Sequence, residues 1–162
     1  MNELKKILEL LADNEVPFVL VGGFAAVVHG SPQLTRDLDL CISFDLEQLK
    51  KIRTVLLPYH PKHRMTSEKL PFAEHPKDLT GLKNLYLDTD LGVIDFLGEI
   101  TGIGNYDAVK NSSIEIELKD GRKLRVLSIE ALIIAKEKMG RKKDLLVVED
   151  LKVIQKKLKD RM

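Results

Sequence analysis

Apolar positions at the start of the chain recur with a helical step. Leu4, Ile7, Leu8 and Leu11 follow i, i+3, i+4, i+7, so residues 2–14 are predicted to form an amphipathic helix. The period then changes. Pro17 opens Phe18–Val21, apolar throughout, as a strand buried on both faces would be. Gly22-Gly23 ends that run. Phe24 to His29 reads as a short helix closed by Gly30, and Ser31-Pro32 as a turn. From Asp37 to Ser43 charged and apolar residues alternate, the period of a half-buried strand. Residues 45–57 return to helical spacing and stop at Pro58.

Residues 58–81 keep no period. Four of the six prolines and three of the four histidines fall there, so an irregular arm is expected. Leu82–Asp88 and Gly92–Leu97 read as adjacent strands turning near Thr89-Asp90. Ile114–Leu118 and Lys123–Leu127 flank Asp120-Gly121, a hairpin signal. Ser128 is placed to cap a helix from Ile129 to Met139, closed by Gly140. A last helix is expected near Asp144, with Val147, Leu151, Ile154 and Leu158 on one stripe; residues 128–161 thus form a C-terminal helix pair. The predicted fold class is α+β: one domain over residues 1–162, a small mixed β-sheet with helices packed on it.

Composition narrows this little further. Hydrophobic residues make up 44% and charged residues 31%, globular proportions. Cys41 is the one cysteine, so no intrachain disulfide forms and a disulfide-built secreted domain is excluded. The N-terminal stretch has acids inside its apolar run, unlike a signal peptide, and no run reaches a membrane span. A soluble, cytoplasmic protein with no membrane partner is expected. Net charge is +1, yet Lys136 to Met162 carries ten Lys or Arg against five Asp or Glu. That basic tail reads as a solvated helix face or as a surface for a phosphate-bearing partner.

The chemistry concentrates in VGGFAAVVHGSPQLTRDLDLCIS. Glycines let a phosphate approach backbone, and a helix start offers unpaired N–H groups; Gly-Gly also serves as an ordinary turn. Asp37 and Asp39 lie two apart on a predicted strand, so both carboxylates share a face while Leu38 and Leu40 point to the core. Two like charges side by side call for a cation. All-oxygen donors favour Mg²⁺ (Mn²⁺ also suits them), and a solvated strand face is the plainer alternative. Asp95, inside LGVIDFLGEI, is costly to bury without a partner, which a shared metal or an ion pair would supply. Lys136 falls mid-stripe with Ile129, Leu132, Ile133 and Gly140 and needs an anion; a nucleotide phosphate would serve, or the side chain snorkels at a core edge. The three arm histidines lack an adjacent fourth zinc ligand, Cys41 lacks a base, and His29 reads as structural.

Gly22-Gly23, the Asp-x-Asp of TRDLDL and the later strand Asp95 resemble the nucleotidyltransferase superfamily that includes DNA polymerase β. IIAKEKMGRKKDLLVVEDL is similar to the Lys…Arg-x-x-Asp helix pair of the abortive-infection toxin-type members, a toxin–antitoxin-like kinship. The resemblance implies a metal-dependent transferase that moves a nucleoside monophosphate from an NTP to an acceptor. It implies Asp37, Asp39 and Asp95 as catalytic metal ligands. Gly22, Gly23, Thr35, Arg36, Lys136, Arg141 and Asp144 are implied as nucleotide contacts, the last two alternatively ordering the final helices. Gly23 stands where many members carry Ser. The acceptor stays open among RNA, protein and small molecule. A catalytically silent module that binds nucleotide or a partner is the alternative, and an RNA-binding module is disfavoured by the lack of aromatics near the basic positions.

Overall fold

The computed structural model describes residues 2–162. Helix α1 (Asn2–Asp13) buries Leu4, Ile7, Leu8 and Leu11, the stripe its spacing prescribes. Strand β1 (Val19–Val21) leads without a loop into α2 (Gly22–Val28). Strand β2 (Asp37–Cys41) follows, then α3 (Leu46–Leu56), which runs on as a single 3₁₀ turn, Leu57–Tyr59. Strands β3 (Lys62–His63), β4 (Asn84–Thr89) and β5 (Gly92–Leu97) come next. Two-residue strands β6 (Glu99–Ile100) and β7 (Gly104–Asn105) pair with each other and precede α4 (Tyr106–Asn111). The hairpin β8 (Ser113–Glu117) and β9 (Lys123–Leu127) leads to α5 (Ile129–Met139) and α6 (Lys142–Asp160).

Seven strands form one mixed sheet in the order β3-β4-β5-β2-β1-β9-β8. β2 runs parallel to β5 and β1 parallel to β9, whereas β1 and β2 are antiparallel. Leu20, Leu38, Leu40, Ile94 and Phe96 are wholly buried. Each takes its place by the two-residue alternation of a strand, which puts the residues between them on the opposite face. Helices α5 and α6 pack on each other and on α2, so the chain's C-terminal end lies beside the turn that leaves β1. Ser31 Oγ and Gln33 Nε2 both donate to Asp150 Oδ2 (3.3 and 3.0 Å), tying the loop before β2 to α6.

Two stretches hold short elements that no period announces. Residues 58–81 are ordered by a few strong anchors rather than by a repeating pattern. β3 adds to the sheet edge beside β4, and Lys62 bridges to Pro71. Phe72 is wholly buried and Leu79 nearly so. Arg53 of α3 lies over the Phe72 ring at 4.7 Å and donates to the Pro76 carbonyl at 2.7 Å. His63 meets the same ring edge-on and donates from Nε2 to the His75 carbonyl at 2.7 Å. The second stretch, residues 98–112, carries β6, β7 and α4, which periodicity misses because each element is shorter than its own period can reveal. The signal present is Asn105, an N-cap whose side chain accepts from the Ala108 N–H at 3.1 Å. The α6 stripe also ends early, since Leu158 is exposed.

Candidate functional site

The sheet register sets the acids. Asp39 is the register partner of Asp95 across β2–β5 and of Val21 across β1–β2. Partners share a face, so Asp37, Asp39 and Asp95 all lie opposite the buried leucines. Asp37 is exposed, while Asp39 and Asp95 are partly buried. Burial is the main cause that pushes Asp39 up to about 7; the neighbouring Asp95 and Asp37 charges add to it, and Lys136 and Arg64 oppose it. Asp95 is also pushed up by burial, against a hydrogen bond from Arg64.

Glycine at position 22 is a requirement of this packing. Its φ is +69°, and a Cβ there would overlap Asp39 Oδ2. At Gly23 a Cβ would come within 3.1 Å of Thr35 Oγ1, and Thr35 in turn donates to the Asp37 carbonyl at 3.3 Å. Backbone of the β1–α2 turn thus lies against Asp39 itself and against the Thr35 side chain.

The basic side is built differently from the sequence expectation. Lys136 does have an anion within reach: its Nζ donates to Asp144 Oδ1 at 3.2 Å. Asp144 is fully buried, and its Oδ2 accepts from Arg141 Nε (2.6 Å) and from the Arg141 backbone N–H (3.2 Å). Asp144 orders the final helices as the N3 residue of the α6 capping box, one of the two roles expected of it, and also lines the cleft that holds Asp37 and Asp39. Burial pushes its carboxyl up, but the Arg141 and Lys136 hydrogen bonds outweigh that and hold it below the usual carboxylate value. The same contacts aim Lys136 and Arg141 toward Asp39. Helical periodicity cannot see this pair, because the acid comes from the next helix.

Two clefts, each of about 360 Å³, meet at Asp39, Lys136 and Arg141. One adds two cations, Arg36 and Lys143, beside Gly23, Thr35 and Asp37, with Leu34, Leu146 and Val147 as its apolar part. The other is half apolar, with Leu97, Ile100, Leu132 and Met139 beside Tyr86 and Glu99. Volumes of this size hold small molecules. Asp95 lines neither; its Oδ1 accepts from Arg64 Nη2. Arg64 and Tyr86 are site residues that sequence reasoning missed. No motif marks them, since the pairing of β4 with β5 sets Tyr86 beside Asp95 and the β3 edge beside β4 brings Arg64 to it.

Three carboxylates on one sheet face, with Asp39 raised by burial and then by its acidic neighbours, suit a hard divalent cation as a donor set. Among the described residues no three His, Cys, Asp or Glu side chains are gathered round one point, and Asp95 is paired with Arg64. Other candidates resolve into structure. His29 Nε2 donates to the Leu127 carbonyl at 2.9 Å, and His60 pairs with Asp90 at 2.6 Å. Cys41 is fully buried, which pushes its thiol up to about 12 and leaves it inert.

A lincosamide antibiotic adenylyltransferase, LnuA, solved with lincomycin bound, superposes with a TM-score of 0.64 at 22% identity, over 95% of this chain and 97% of its own. The chain has the nucleotidyltransferase fold. ANT(2")-Ia, solved with adenylyl-2"-tobramycin, shares that fold with a TM-score of 0.56 at 15% identity, over 98% of this chain and 95% of its own. A Thermotoga maritima protein assigned as a nucleotidyltransferase gives 0.56 at 19% identity, over 99% and 95%. No sequence-family model matches the chain, and no curated protein matches it by sequence. Among the described residues no helix is long and apolar enough to cross a membrane.

Proposed function

We propose that this nucleotidyltransferase-fold chain moves a nucleoside monophosphate from an NTP to a hydroxyl of a small molecule. The observation that carries the reading is the junction of the two clefts, where Asp39 of the acid pair faces Lys136 and Arg141. A triphosphate needs cations along its length, and the basic cleft offers Lys136, Arg141, Arg36 and Lys143 beside the Gly22-Gly23 turn and Thr35. The other cleft, where Leu97, Ile100, Leu132 and Met139 stand instead of Arg36 and Lys143, is left for the acceptor, and its volume suits a drug-sized molecule. The antibiotic-modifying neighbours support the same choice over RNA or protein.

Asp37, Asp39 and, once free, Asp95 would hold Mg²⁺ or Mn²⁺, which supplies charge neutralisation at the α-phosphate. The acceptor oxygen forms a bond to the α-phosphorus, the bond to the bridging oxygen of pyrophosphate breaks, and the hydroxyl proton passes to Asp95. Burial, which raises Asp95, suits it to take that proton. Lys136 and Arg141 stabilise the departing pyrophosphate, and their fixed orientation on Asp144 removes the need to reorganise during transfer.

The test measures heat stability with each NTP and Mg²⁺, then pyrophosphate release against a panel of hydroxylated small molecules. NTP and Mg²⁺ together, at about 100 times the dissociation constant, should add about 2.7 kcal/mol. Stabilisation in wild type that is lost in Lys136→Met, followed by pyrophosphate release with one compound class, supports the transferase. Stabilisation without release by any acceptor, RNA included, favours a silent nucleotide-binding module. No stabilisation by any NTP refutes the reading.

A further inference from the structure

Arg64 comes from the arm that has no periodic pattern, yet it makes the closest contact with the third acid. Its backbone N–H donates to the Tyr86 carbonyl at 3.0 Å, which fixes the start of the side chain on β4. Its guanidinium lies 5.7 Å from the centre of the Tyr86 ring, and Nη2 reaches Asp95 Oδ1. Tyr86 is the register partner of Asp95, as Asp39 is on the other side, so Tyr86, Asp95 and Asp39 form one row across three strands. The Arg64 and Asp95 side chains are 26% and 13% exposed. Half-buried charge pairs of this kind are stronger than surface ones, because less water screens them. Arg64 Nε, by contrast, is buried with no protein partner, so the guanidinium is held through its Nη groups alone, Nη2 on Asp95 and Nη1 on Met65 Sδ at 3.5 Å.

This arrangement conflicts with the use proposed for Asp95. A carboxylate oxygen that accepts from a guanidinium has less charge to offer a metal ion, and the guanidinium itself repels a cation arriving beside it. Asp37 and Asp39 face the clefts with no such occupant. Resting on the metal-dependent reading above, we propose that Arg64 is a positioning residue that occupies the Asp95 carboxylate in the cation-free chain. It has to release Oδ1 before Asp95 and Asp39 share a divalent cation. The arm thereby sets how readily the acid triad is completed, although it contributes no ligand of its own.

The experiment measures Mn²⁺ binding to the full chain without nucleotide, from the electron spin resonance signal of free Mn²⁺. Arg64→Met keeps a flexible apolar stem against Tyr86 and removes the charge. It should bind Mn²⁺ about tenfold tighter than wild type, the lower end of what a charge-assisted hydrogen bond is worth. Arg64→Lys keeps the charge and should stay near wild type, which also separates the effect from any loosening of the arm. In an Asp95→Asn background the gain from Arg64→Met should vanish. Equal or weaker binding by Arg64→Met overturns the proposal, as does a gain that survives in Asp95→Asn. Absence of Mn²⁺ binding in every variant overturns the metal-dependent reading itself and this inference with it.

Discussion

Replacing Asp39 by Asn should stabilise the metal-free protein, and the gain should depend on pH. Asp39 moves from an ordinary value of 3.8 to about 7 on folding, with burial the largest cause and the Asp95 charge the next. The folded chain therefore keeps this proton to higher pH than the unfolded chain does. Between those two values unfolding releases the proton, so stability falls as pH rises through the window, and the penalty is complete above about 7. A shift of about three units has a ceiling of about 4 kcal/mol. Asp39 lines both clefts and is wet on one side, so screening brings the figure to about 2 kcal/mol. Asn has nearly the same shape and no charge. In EDTA at pH 8 the variant should be more stable by about 2 kcal/mol, or about 4–8 °C in melting temperature for a chain of this length. At pH 4 the two proteins should melt together. Calorimetric or fluorescence melts across that range decide it. A variant no more stable than wild type at pH 8, or a gain that does not shrink toward pH 4, would refute the account of Asp39 as a strained acid.

Asp144→Asn should act in the opposite direction, destabilising by about 3 kcal/mol at pH 7 because it leaves Lys136 and Arg141 without their buried anion. Since the folded Asp144 carboxyl is held below its ordinary value, that wild-type advantage should be present above 3.8 and fade as pH falls through the depressed value, which denaturant titrations at pH 7 and pH 3 would show. Gly22→Ala should cost about 1–3 kcal/mol through positive φ and overlap with Asp39 Oδ2. In an Asp39→Ala background only the backbone part should remain, and an equal cost in both backgrounds would remove the steric argument.

Much of the scaffold is legible in the chain, because it rests on local rules. The α5 helix runs from Ile129 to Met139 as spacing predicts, since Ser128 accepts from the Ala131 N–H and Gly140 takes the left-handed cap. The Asp120-Gly121 hairpin and the burial of Leu38 and Leu40 between acids follow equally from two-residue alternation and turn chemistry. That parity alone puts Asp37 and Asp39 on one face.

What lies beside those acids is a matter of strand order and helix packing, which no local period encodes. Parallel pairing of β2 with β5 brings Asp95 level with Asp39 from fifty-six residues away. Docking of α6 against α5 gives Lys136 its anion, Asp144, from the next helix. Addition of β3 to the sheet edge delivers Arg64 from a segment whose order depends on one buried ring, Phe72, and a few side-chain-to-backbone hydrogen bonds. Sequence by itself determined which residue types are available and which face each one takes within its own element. Tertiary structure decided which charges meet across elements, because a charge's partner is chosen by distance in space, and Asp39–Asp95 and Arg64–Asp95 are separated in the chain by far more than any helical or strand repeat.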